Sequence, residues 1–83
     1  MRMDFITFRS ITPAQRGQRV LQAAGITCTL QRTPKMMAQQ GCGYCLRLRP
    51  GDVVRAVALL RGQGLSFSKV YAGFESGPQE LEV

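Results

Sequence analysis

Along Asp4 to Arg9 the chain alternates, with Ile6 and Phe8 on one side and Phe5, Thr7 and Arg9 on the other. This spacing predicts a β-strand. The period then lengthens. Ala14, Gly17, Val20, Leu21 and Ala24 recur at three- and four-residue steps, a narrow apolar stripe whose small members let a helix lie close on a sheet. Ser10-Ile11-Thr12-Pro13-Ala14-Gln15 supplies the start: Thr12 as cap, Pro13 at the first helical position and Gln15 where a capping-box partner belongs. Gly25 supplies the stop.

Alternation returns from Ile26 to Arg32, with Ile26, Cys28 and Leu30 inward and Thr27, Thr29 and Gln31 outward. On that register Cys28 is a small buried hydrophobe. A third strand starts at Tyr44, where Tyr44, Leu46 and Leu48 oppose Cys45, Arg47 and Arg49. Between these strands, residues 33–41 read as one helical turn capped by Thr33 and stopped by Gly41, or as an irregular loop, with Met36 and Met37 covering the core edge. Pro50-Gly51-Asp52 opens a second helix, with Asp52 complementing its dipole. Val53, Ala56, Val57 and Leu60 form its buried stripe, helped by Leu59, and Gly62 or Gly64 ends it. A fourth strand spans Leu65 to Ala72, where Val70 and Ala72 compete with Phe67, Lys69 and Tyr71 for the core. Glu75 to Val83 shows no periodicity and reads as a flexible acidic tail. The order βαββαβ predicts an α+β, ferredoxin-like domain over residues 1–74, a four-stranded antiparallel sheet with two helices on one face.

Eighty-three residues, 45% of them apolar, suffice for one small globular domain. No apolar run approaches the roughly 20 residues of a bilayer span, and Met1-Arg2-Met3-Asp4 lacks the apolar segment of a secretion signal. A cytoplasmic protein without membrane contact is expected. The chain has three cysteines and no histidine. The odd count excludes a fully paired disulfide scaffold, and in a reducing compartment free thiols are the default. Without histidine, and with Cys28 far outside ligand spacing, neither a metal nor any other cofactor is expected. The formal charge of +6 is uneven: between Phe5 and Gly51 there is no acid, while Arg9, Arg16, Arg19, Arg32, Lys35, Arg47 and Arg49 all fall there. Such a field draws anions and favours a thiolate over a thiol.

The candidate chemistry lies in Gly41-Cys42-Gly43-Tyr44-Cys45. Glycines on both sides of Cys42 imply an exposed bend, with Cys45 on the strand leaving it. In the expected topology this strand runs beside the first one, so Cys42 and Gly43 lie near Arg9 and Ser10. They also lie near the start of the first helix, where Thr12 and the free amides carry partial positive charge. Arg9, Arg32 and Lys35 complete a set that would hold a thiolate or a bound anion. Cys42 and Cys45 form a C-x-x-C pair, but on a strand consecutive residues face opposite ways. Cys45 would share the open sheet face with Arg47. There it either resolves an oxidised or persulfidated Cys42 by thiol exchange or serves as a small side chain on a strand.

The pieces Ile6-Thr7-Phe8-Arg9-Ser10, Ala24-Gly25-Ile26, Arg32-Thr33-Pro34-Lys35, Cys42-Gly43, Leu46-Arg47-Leu48 and Pro50-Gly51-Asp52 together resemble a small bacterial family, the selenium/sulfur carrier protein-like domains. The resemblance spans roughly residues 4 to 72, and its most specific part is Thr33-Pro34 followed by Cys42-Gly43 ahead of a strand. It implies that Cys42 is the carrier residue, bearing a persulfide or selenopersulfide. It also implies sulfur or selenium donor and acceptor proteins as partners, and a carrier in place of an enzyme. Cys45, the basic balance and the tail depart from the family pattern, which leaves sulfur, selenium and a dithiol cycle as alternatives. Two further readings use the open sheet face. RNA could stack on its aromatics, with Phe5, Arg47, Arg49, Lys69 and Tyr71 along it, although the third strand offers arginines where paired aromatics belong. Alternatively the same face docks a partner protein or a second copy as a homodimer.

Overall fold

The computed structural model describes residues 2–34, 43–74 and 79–81. Strand β1 (Arg2–Phe8) leads into helix α1 (Ile11–Ala23), β2 (Cys28–Arg32) and β3 (Tyr44–Leu48). Helix α2 (Val53–Gly62), β4 (Val70–Phe74) and β5 (Gln79–Leu81) follow. The strands form one antiparallel sheet in the order β2-β3-β1-β4-β5.

Both helices bury their apolar stripes on the same face of the sheet. Ala14 and Leu21 of α1 and Val53, Ala56, Val57 and Leu60 of α2 meet Ile6, Phe8, Leu46, Leu48 and Val70 in one core. Gly17 is what lets α1 settle there. A β-carbon at this position would stand 3.1 Å from the Phe8 ring and 3.4 Å from side chains of Leu46 and Leu60, closer than a packed interior tolerates without repacking. The small-residue stripe therefore acts as expected.

The two helices end alike. Gly25, at φ 81°, and Gly64, at φ 69°, take the left-handed conformation that closes a helix and that side chains resist. After each glycine the chain bonds back: Ile26 N–H donates to Leu21 O at 2.9 Å and Leu65 N–H to Leu60 O at 2.9 Å. At the other end of the sheet the buried Asp4 carboxylate accepts the Gly51 N–H at 3.0 Å, tying β1 to the turn that opens α2.

Several boundaries and the strand count differ from expectation. Helix α1 begins at Ile11 with Ser10 as N-cap and no side-chain cap bond, so neither Thr12 nor Gln15 builds the expected cap. Proline is tolerated anywhere in the first turn, where amides have no intrahelical acceptor, so Pro13 does not fix the first residue. Strand β2 starts at Cys28, because the Ile26 amide is committed to closing α1. Strand β4 starts at Val70: upstream, Thr7 stands opposite both Ser68 and Lys69, its O accepting from Ser68 N–H at 2.7 Å and its N–H donating to Lys69 O at 2.8 Å. Two residues against one interrupt a regular ladder. Among the described residues the sheet has five strands and not four, because residues 79–81, expected in the tail, pair with β4 as β5.

Candidate functional site

Three strand ends converge where β1 and β2 finish and β3 starts. Tyr44 is the register partner of both Phe8 and Arg32, so it sits between the two outgoing chains. Just before it, Gly43 O accepts the Thr33 N–H at 3.1 Å. The α-carbon of Gly43 faces Arg9, whose carbonyl oxygen would lie 3.6 Å from an added β-carbon. Gly43 is exposed.

Arg9, Ser10, Thr12 and Arg32 are all exposed at this end. Ser10 is extended (φ −144°, ψ 170°) and caps α1 through its backbone position alone, and the first turn contains no acid. Its amides thus keep their partial positive charge directed outward. The Arg32 guanidinium lies over the Tyr44 ring, 5.5 Å from its centre, close enough for a cation–π contact. Arg9, Ser10, Thr12, Arg32 and Gly43 thus all lie at the end of the sheet where β3 begins. Cys42 and Lys35 lie outside the described residues.

The other two cysteines are both buried. Cys28 is 6% exposed, faces the helices, and directs its thiol toward Gln18 O at 3.9 Å. Burial raises its pKa by disfavouring the thiolate. It behaves as the small core residue expected. Cys45 is 0% exposed. It faces away from the helices, as its place in the alternation requires, directly opposite Thr7 and packed with Phe5 and Tyr71, with Met3 alongside. The expectation of an open sheet face fails at this point. Phe5 and Tyr71 face each other across β1 and β4, and Cys45 on β3 packs into the same cluster, where large cross-strand neighbours cover a small side chain. Phe5 and Tyr71, at 0% and 5% exposure, offer no free ring for a stacked base.

Two polar atoms escaped sequence reasoning. Thr33 Oγ1 and Arg47 Nε are buried without a hydrogen-bond partner among the described residues. Arg47 was expected on an open face. Thr33 was read only as a possible cap, and its place beside Gly43 follows from a hairpin pairing that a strand-by-strand reading does not supply. Tyr44, expected on the core side, also shelves Arg32, a contact set by the same pairing. Among the described residues no group of three or more His, Cys, Asp or Glu assembles to hold a metal, and no helix is long and apolar enough to cross a membrane.

The fold and this basic strand-end cluster define a small α+β domain whose marked end lies where β3 begins. The family model described as "Putative Se/S carrier protein-like" matches residues 4–72, and the chain belongs to that family. No curated protein and no solved structure matches it.

Proposed function

We propose that this protein is a sulfur or selenium carrier and that Cys42 is the thiol that bears the cargo. The observation that carries this reading is the family match across residues 4–72, which spans Cys42. Three features support it. Cys28 and Cys45 are buried and poorly placed to meet another protein. Gly43, the neighbour of Cys42, lies beside the Arg9 carbonyl, with exposed Arg9 and Arg32 at the same sheet end. The uncapped amides of α1 also point outward there, and a helix N-terminus and guanidinium groups favour a thiolate.

In the transfer step the Cys42 thiolate attacks the outer sulfur of a donor persulfide. One S–S bond forms as another breaks, the donor cysteine leaves as a thiolate, and the exchange as a whole needs no oxidant or reductant, since the sulfane sulfur passes from donor to Cys42. Release to an acceptor thiolate reverses the roles. The protein acts as a carrier between donor and acceptor proteins, not as an enzyme with its own turnover, in the reducing cytoplasm. Arg9, Ser10, Thr12, Arg32, Lys35 and Gly43 hold the anionic cargo, and Cys45, buried against Phe5 and Tyr71, serves as a small side chain on its strand in place of a resolving thiol. We also read β2-β3-β1-β4 with its two helices as the ferredoxin-like layout, to which β5 is an addition.

Intact-mass measurement after incubation with a low-molecular-weight persulfide tests the proposal. Wild type and Cys45→Ala are expected to gain about 32 Da, the mass of one sulfur atom, and Cys42→Ser to gain nothing. No gain on wild type, or equal gain on Cys42→Ser, refutes it.

A further inference from the structure

Four cations gather at one end of the sheet. Following the strand directions, Arg9 follows β1, Arg32 ends β2, Arg61 lies in the last turn of α2 and Lys69 precedes β4. All four stand at the end of the sheet where β3 begins. Of the described acids, Asp4 and Asp52 stand at the opposite end, and Glu80 is engaged by Lys69 at 3.2 Å. A surface of one sign at one end steers oppositely charged partners and orients their approach.

The same end is grooved. Residues 66–68 run between two depressions. One, of about 150 Å³, is lined by Arg9 and Pro13; the other, of about 530 Å³, by Arg61, Lys69, Glu80 and Leu81. The Ser68 and Lys69 amides are spent on Thr7, the second donating to Thr7 Oγ1 at 2.9 Å. Those of Ser66 and Phe67 meet no partner among the described residues. The Arg61 guanidinium lies over the Phe67 ring, 5.6 Å from its centre.

Unspent amides on an irregular chain running into a strand suit the backbone of an extended peptide, and the flanking guanidinium groups suit carboxylates. Nucleic acid fits less well. The rings at this end, Tyr44 and Phe67, each have a guanidinium over them, which takes up a face that a base would need.

We propose that the groove along residues 66–68 docks an extended acidic segment of the protein that gives or receives the chalcogen. The identity of that partner rests on the carrier reading; the docking itself does not. The test uses the full chain and a glutamate octapeptide, followed by amide NMR shifts. At low salt, saturable shifts are expected at Ser66, Phe67, Lys69 and Arg9, and they should fade as salt screens the charges. Arg61→Glu should weaken binding about tenfold, and Arg61→Gln, which keeps a good helix former, by less, since each exposed charge contributes modestly. Arg49→Glu makes the same charge change at the opposite end and should cost less than about twofold. Equal losses in Arg61→Glu and Arg49→Glu, shifts spread over both ends, or an oligouridine that outcompetes the peptide would overturn the proposal. Persulfide loading of Arg61→Glu should match wild type. Peptide binding without loading of wild type would refute the carrier reading and leave the docking intact, and loading without peptide binding would do the reverse.

Discussion

Both faces of the sheet bury a cysteine, and they do so by different means. On the helix side, Cys28 belongs to a core built by two amphipathic helices against the sheet. On the other side, Cys45 lies in a small cluster with Phe5 and Tyr71. The first kind of burial is written into periodicity, since stripes on helices must face alternating strand residues. The second depends on which residues stand opposite one another across strands, which no single segment reveals. The functional consequence is shared. Both thiols are withdrawn from surface chemistry, which concentrates the carrier proposal on Cys42.

The largest effects expected from breaking this comparison come from its two phenylalanines. Phe8 and Phe5 are neighbours of opposite orientation on β1, both 0% exposed. Phe8→Ala should cost about 3–5 kcal/mol in chemical denaturation, as expected for a core aromatic. Phe5→Ala should fall in the same range, because its face is sealed too. A cost for Phe5→Ala below about 1 kcal/mol would mean that the second face is open, and the base-stacking reading would regain its platform.

A smaller effect concerns pH. Burial raises the Cys28 pKa, so the folded state holds this proton more tightly than the unfolded chain. The contribution is fully present below the titration of an unfolded thiol, near pH ~8.5, and is lost as pH rises through the higher folded value. The denaturation midpoint of wild type should therefore fall with alkaline pH, and Cys28→Ala should show a shallower fall. An unchanged slope in Cys28→Ala would place that thiol in a more solvated setting than the core position described.

Much of this architecture is legible in the sequence. Gly25, and Gly62 or Gly64, read as helix ends by position, and Gly25 and Gly64 take the backbone conformation that the role demands. The stripes on α1 and α2 and the alternation of β1, β2 and β3 assigned the helix-facing residues, Gly17 among them. Boundaries set by competition for single amides were not legible. Ile26 is claimed by the end of α1, Thr7 serves two residues ahead of β4, and Pro13 admits a helix start upstream of itself. The short β5 carries no periodicity of its own and exists through pairing with β4. At the candidate site, the meeting of Arg9, Arg32 and Gly43 follows from topology. The burial of Cys45 and the Arg32–Tyr44 contact depend on cross-strand register and side-chain packing.

A carrier role requires one accessible, activated thiol among the three. Alkylation of the native protein across a pH series, with each cysteine followed by peptide mapping, addresses that directly. Cys42 should react first, with a rate midpoint below the ordinary thiol value of ~8.5, while Cys28 and Cys45 stay protected until the chain unfolds. Labelling of Cys42 no faster than the two buried thiols, or with an unshifted midpoint, would contradict it.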